Sequence, residues 1–346
     1  MRGKTSANFE FACLPTAIGS MPQTNPQEAS SIVMKYLPDI PAWPQLPKRS
    51  PKESMYIQFS EGFPGIAIDE DKIHIEPSSN FQAELGQIYL DCEEDNLDKY
   101  AVSAKYAAGL HTFLSQTCRL NIVKGQIIGP ITWGLTVTDQ DDRAILYDET
   151  LAEFMAKFLR LKASWQENAL RQTSSHTIIF VDEPYLSSLG SGFVAIPEEK
   201  ITSLLEEVFC GIKGLKGVHC CGNTDWPLLL NTTIDILSFD AYNYATSLSL
   251  YPNEVKSFLN HGGTIAWGII PNNEEALAKE SLSSLYDRLG EAMAPFTRNG
   301  LRFGQIVAQG LVTPSCGLAN LSPEATNQAL ELVTNLSESL RKRYSI

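Results

Sequence analysis

Three side chains in this sequence have the types and spacing to grip a soft metal ion. His219 and Cys221 stand two apart in His219-Cys220-Cys221-Gly222-Asn223, and Cys316 stands in Val312-Thr313-Pro314-Ser315-Cys316-Gly317. Alternate residues of an extended chain share a face, so His219 and Cys221 point one way and Cys220 the other. Imidazole and thiolate are favoured zinc ligands. A catalytic zinc takes three protein ligands and keeps a fourth position for an exchangeable group. The opposing reading is that a buried cysteine is usually a small hydrophobe. That reading is adopted for Cys13, Cys92, Cys118, Cys210 and Cys220. Other polar residues also end apolar runs: Ser20, the pair Asp182-Glu183, and Asp240. For the acidic pair before Pro184, a helix N-terminus is the bland alternative. For Ser20 it is a plain turn.

The elements that must position these groups are legible as apolar runs. Candidate strands are Leu14–Ile18, Met55–Phe59, Val123–Ile128, Thr177–Val181, Gly217–Cys221, Ile234–Phe239, Thr264–Ile269 and Ile306–Leu311. Amphipathic stretches follow several of them: Glu149–Gln172, Glu198–Ile212, Asn253–Leu259, Asn273–Met293 and Pro323–Arg343. Strands alternating with helices imply a parallel sheet. Eight such units predict an α/β fold, a single (β/α)8 TIM barrel over residues 1–346 with an N-terminal extension. Residues 62–78, alternating around Glu70-Asp71, read as an inserted β-hairpin. The proline-rich stretch Pro38–Pro51 reads as a surface connection of polyproline character. Barrel enzymes place their chemistry at the C-terminal ends of strands, where the polar residues named above fall.

Composition bounds the partners. Forty acidic against 27 basic residues give a formal charge of −13, which argues against binding a phosphate backbone. No run reaches the length of a membrane span, and the N-terminus is not a secretory signal. Seven cysteines, an odd number, form no secreted framework and suggest a reducing cytoplasm.

At these residues the sequence resembles the catalytic domain of cobalamin-independent methionine synthase. It also resembles the methylcobalamin:coenzyme M methyltransferases, within a superfamily that includes uroporphyrinogen decarboxylase. The resemblance runs from Pro15 to Leu318 with its motifs in family order. Ile18-Gly19-Ser20 is similar to the segment that holds the amino-acid carboxylate. Gly129-Pro130-Ile131-Thr132 is similar to a Gly-Pro-Val-Thr segment, and Val181-Asp182-Glu183-Pro184 to the segment whose Asp binds the homocysteine ammonium group. His219-x-Cys221 and Pro314-Ser315-Cys316-Gly317-Leu318 resemble the two zinc-binding segments.

The resemblance implies a zinc-dependent methyltransferase that makes methionine from homocysteine. Its metal ligands would be His219, Cys221 and Cys316, with Asp240 where the family has a Glu. Asp182 and Glu183 are the expected catalytic residues, with Ile18, Gly19, Ser20 and Asp182 binding substrate. Two departures bear on the methyl donor. The family's proton-donating His has no counterpart in Gly268-Ile269-Ile270-Pro271-Asn272, and the folate-binding half has none either. A folate nitrogen needs protonation as it leaves, and a corrinoid does not. Methylcobalamin, free or on a corrinoid protein, is therefore the expected donor. A coenzyme M-type methyltransferase is the alternative, suggested by His219-x-Cys221-Gly222-Asn223. A uroporphyrinogen decarboxylase-like enzyme is the lesser one.

Overall fold

In the computed structural model, which describes residues 9–69, 72–117, 119–189 and 195–345, apolar runs become strands and the stretches between them helices. The strands are β1 (Leu14–Pro15), β2 (Ile66–Asp69), β3 (Lys72–Ile75), β4 (Leu120–Ile128), β5 (Ser174–Asp182), β6 (Leu215–Cys220), β7 (Ile236–Phe239), β8 (Thr264–Ile270) and β9 (Gly310–Pro314). Seven form one sheet in the order β1-β9-β8-β7-β6-β5-β4, every pair parallel. The expected hairpin is the antiparallel pair β2 and β3, and its turn residues, Glu70 and Asp71, lie outside the described residues.

The two edges of the sheet, β1 and β4, are joined by the extended segment Pro41 to Gln45. On one side the Trp43 N–H donates to the Lys124 carbonyl at 3.2 Å, and the Lys124 N–H to the Pro41 carbonyl at 2.9 Å. On the other, the Gln45 N–H donates to the Gly19 carbonyl at 3.0 Å, and the Gln45 carbonyl accepts from the Met21 N–H at 2.9 Å. The curled sheet thus closes as a TIM-like barrel.

This corrects the expectation for Pro38–Pro51. Far from a surface connection, the stretch buries Ile40, Ala42, Trp43 and Leu46. Proline has no N–H and is usually kept out of sheet interiors. Here the donors needed are Trp43 and Gln45, and the prolines at 41 and 44 fall where none is required. Helix Ala108–Gln116 then packs against the stave so closely that a Cβ on Gly109 would lie 1.8 Å from the Pro44 carbonyl oxygen.

One expected strand is a helix, and another starts as one. Met55–Phe59 forms helix Met55–Gln58, started by the 3-10 turn Pro51–Glu53. A five-residue apolar run fits either period, and here the Gln58 N–H bonds the Ser54 carbonyl. Ile306–Leu311 begins instead as helix Phe303–Ala308, and β9 starts at Gly310. Among the helices, Glu149–Arg171 and Pro323–Tyr344 match their expected spans closely, each N-capped by a side chain, Asp148 and Ser322. The Asn273–Met293 stretch divides into Glu274–Leu277 and Leu282–Arg298.

Strand parity divides the core in two. Val123, Ile127, Ile179, Val181, Val218, Leu237, Ile265 and Val312 face the helices. The alternate residues Ile122, Ile178, Phe180, Leu215, Ile236, Ala266 and Leu311 meet inside the barrel with Phe11 and Ile40. Burying each such side chain stabilises the fold by about 1.5–3 kcal/mol. Cys13, Cys92 and Cys220 are buried, Cys210 is exposed, and Cys118 lies outside the described residues.

Candidate functional site

Inside the barrel the packing turns polar toward the C-terminal ends of the strands. Parallel register sets Asp182, His219 and Ser238 side by side on β5, β6 and β7. His219 is 2% exposed, and its Nδ1 lies 3.0 Å from the Ser238 hydroxyl. Its other ring nitrogen, Nε2, is buried without a hydrogen-bond partner. One residue beyond β6 stands Cys221, and two beyond β9 stands Cys316. One ligand atom from each of His219, Cys221 and Cys316 lies within 4.8 Å of the others. Among the described residues these are the groups of His, Cys or acid that come together in this way.

The two sulfurs are close neighbours. The Cys316 thiol, with help from the His219 ring, draws the Cys221 thiol down to about 4 despite burial. Cys316 moves the opposite way, held protonated by the Cys221 sulfur beside it and by burial. One sulfur of the pair therefore gives up its proton readily. Paired soft donors beside a buried imidazole with a free nitrogen suit a thiophilic divalent ion such as zinc.

Loop contacts fix where Cys316 stands. The Asn272 amide donates to the Gly317 carbonyl at 3.4 Å, and its oxygen accepts from the Ser315 hydroxyl at 3.1 Å. The Leu318 N–H donates to the Ser20 carbonyl at 2.8 Å. A Cβ on Gly317 would lie 2.0 Å from the Ser20 Oγ, so any larger residue would force the Ser20 hydroxyl to rotate. The motifs at Ser20 and Cys316 are in this way one structure, joined because β1 pairs with β9.

The acidic residues divide by role. Asp182 is 6% exposed, and its Oδ1 has no partner. Burial raises its carboxyl to about 6 against the opposing pull of His219 and Lys124. Glu183 faces elsewhere. It accepts the Ile131 N–H at 2.8 Å, the Thr132 N–H at 2.7 Å and the Thr132 hydroxyl at 2.6 Å. It thus caps helix Pro130–Thr136, and a Cβ on Gly129 would lie 2.1 Å from its carboxyl carbon. The Gly129-Pro130-Ile131-Thr132 segment is the cradle of Glu183. Burial still pushes that carboxyl up to about 7. Asp240 stands beside the His–Cys–Cys trio and outside it. Its oxygens accept the Asn243 N–H at 2.9 Å and the Asn243 side-chain amide at 2.7 Å.

Four side chains of the site were absent from the sequence reading. Lys124 and Gln126 interrupt the apolar run of β4 on its inward face. Both are fully buried, and the Lys124 Nζ donates to the Ile18 carbonyl at 2.7 Å. Burial brings the Lys124 ammonium down to about 8. Two polar residues spaced by two within Leu120–Ile128 were the available signal. Tyr56 and Tyr185 left none, because their meeting is tertiary. Their ring centres lie 6.0 Å apart. Burial raises the Tyr56 phenol to about 12, and the neighbouring Tyr185, Cys221 and Cys316 add to the rise. A cavity of about 680 Å³ opens beside Cys221, lined by Pro184, Tyr185, Asn223, Thr224 and Tyr244 among others. Trp133 and Trp267 are wholly buried in the layer between barrel and helices.

No family model matches the chain, and no curated protein does. Solved structures do. A B12-independent methionine synthase from Shewanella sp. W3-18-1, in complex with selenomethionine, superposes with a TM-score of 0.62 at 17% identity, covering 96% of this chain and 98% of that one. A putative vitamin-B12 independent methionine synthase from Listeria monocytogenes gives 0.54 at 15% identity over 91% and 86%. A methyltransferase from Methanosarcina mazei gives 0.51 at 12% identity over 97% and 98%. The chain shares their fold from end to end. Among the described residues no helix is long and apolar enough to cross a membrane.

Proposed function

We propose that the chain is a metal-dependent methyltransferase whose acceptor is a small thiol amino acid, homocysteine being the best fit. The observation that carries this reading is the convergence of His219, Cys221 and Cys316 at the barrel mouth, next to an Asp182 with a free oxygen. Zinc held by those three residues would supply Lewis acidity that lowers the pKa of an incoming thiol. Asp182 offers Oδ1 to the substrate ammonium group. Ile18, Gly19 and Ser20 offer backbone to its carboxylate. The substrate thiol releases its proton to solvent, and its sulfur then attacks the donor methyl carbon in line. A sulfur–carbon bond forms, and the donor keeps the electron pair of the bond that breaks. The selenomethionine complex of the Shewanella protein, an amino acid of the product class, supports this choice of substrate.

Coenzyme M is the less favoured acceptor. It carries a sulfonate and no ammonium group, and a buried carboxylate such as Asp182 repels the one and attracts the other. Glu183, expected from the sequence to be catalytic, is assigned here to holding Thr132, since its side-chain hydrogen bonds run to that helix end. Asp240 is proposed as a neighbour of the metal and not a ligand. For the donor we retain the methylcorrinoid, on the single ground that no titratable side chain occurs from Gly268 to Asn273. The B12-independent neighbours lend that choice no support, so the experiment runs both donors. Zinc-loaded protein is incubated with methylcobalamin or methyltetrahydrofolate, and with homocysteine or coenzyme M. Methionine from either donor is the expected product. Absence of methylated product with both thiols removes the proposal.

A further inference from the structure

We propose that Lys124 is a positioning residue that sets the carboxylate-binding turn of the substrate pocket, making the site selective for a zwitterionic α-amino acid over a simple thiol. The inference rests on the functional reading above and deepens it.

Lys124 is a lysine with no exposure, placed inside a barrel whose lower half is packed with hydrocarbon. Burying an ammonium group is expensive unless its donors are used. Here its Nζ donates to the Ile18 carbonyl at 2.7 Å, approaches the Gln126 side-chain oxygen at 3.4 Å and lies 4.2 Å over the Phe180 ring. The Ile18 contact is short and charge-assisted, the strongest class of neutral-acceptor hydrogen bond.

Its consequence follows from peptide geometry. No described peptide is cis. In a trans peptide the carbonyl and the next N–H point in opposite directions. Lys124 lies below the level of Asp182 in the β4–β5 register, so it draws the Ile18 carbonyl down into the barrel and turns the Gly19 N–H the opposite way, toward the mouth. Gly19 sits at φ +151°, and a Cβ there would lie 2.6 Å from the Gln126 side chain. The turn is therefore gripped by Lys124, backed by Gln126 and fastened to Leu318 through the Ser20 carbonyl. The buried cation thus sets the backbone that faces the substrate carboxylate.

Calorimetry with two ligands tests this: L-methionine, and 3-(methylthio)propylamine, which lacks the carboxylate. Zinc-loaded wild type and Lys124→Met are compared. The variant is expected to bind methionine about 10- to 100-fold more weakly, the range for losing a charge-assisted contact, and the amine within about twofold of wild type. Equal weakening for both ligands, or none for methionine, overturns the proposal. Should the variant fail to fold, amide exchange on the wild type decides. Methionine is expected to protect the Gly19 N–H and the amine to leave it exchanging, and the same protection by both ligands overturns it. Wild type that binds neither ligand overturns the functional reading, and this inference with it. Wild-type binding with an indifferent Lys124→Met overturns this inference alone.

Discussion

His219 Nδ1 and the Ser238 hydroxyl meet at 3.0 Å across the β6–β7 register, and that contact leaves Nε2 as the ring nitrogen free to bind a metal. With Nε2 unprotonated, Nδ1 carries the proton and donates it to Ser238. A partner of this kind fixes the tautomer and the ring orientation, and its loss typically weakens metal binding by about 10- to 100-fold. Ser238→Ala is therefore expected to lower zinc affinity by that factor in chelator competition, with the thermal transition of the metal-free protein little changed. Unaltered affinity would mean that packing alone holds the ring.

Cys316 is positioned by side chains outside the His–Cys–Cys trio. Asn272 braces Ser315 and Gly317 from the end of β8. Asn272→Ala should loosen the Cys316 sulfur while His219 and Cys221 stay in place. Zinc affinity is expected to fall by about tenfold, the low end for an outer-shell residue, while Cys316→Ser abolishes stoichiometric binding. Metal content after dialysis against a weak chelator separates the three proteins. A Cys316→Ser variant that keeps its zinc removes Cys316 from the ligand set.

Gly129 and Glu183 are matched. An alanine at 129 would place its Cβ 2.1 Å from the Glu183 carboxyl carbon, and the carboxyl cannot retreat without releasing three donors. Gly129→Ala is expected to destabilise the fold by about 1–3 kcal/mol, the usual penalty of overpacking. The urea midpoint should fall with an unchanged slope. A midpoint equal to wild type would show the cradle to be slack.

Most of the barrel was legible because its strands are buried on both faces and read as apolar runs between amphipathic helices. The convergence of His219, Cys221 and Cys316 was legible because parity puts His219 and Cys221 on one face and Cys316 follows the last strand. What escaped notice depended on distant partners. Pro38–Pro51 looks like a loop by composition, and only pairing with Lys124 and Gly19 makes it a stave. Ile306–Leu311 was placed too early because helix Phe303–Ala308 is as apolar as the strand after it. Glu183 reads as a catalytic acid beside Asp182 until its three donors are seen. Adjacent residues on a strand face opposite ways, which hands Asp182 to the pocket and Glu183 to the helix layer.

Glu183 also makes a signed prediction for pH. Burial lifts its folded carboxyl from 4.5 to about 7, although three donors oppose the shift. Between those values the folded chain holds a proton that the unfolded chain has released. Stability from this group is then fully present below about pH 4.5 and is lost as pH rises through about 7. Glu183→Gln cannot titrate, and its amide N–H₂ must face one of the donors, so it is less stable throughout. The gap between wild type and Glu183→Gln is therefore expected to narrow steadily between pH 4.5 and 7.5 in urea titrations, since only wild type loses stability over that span. Taking the difference cancels the titrating groups that do not interact with Glu183. A gap that stays constant or widens with pH would mean that the three donors outweigh burial and that Glu183 is ionised across the range.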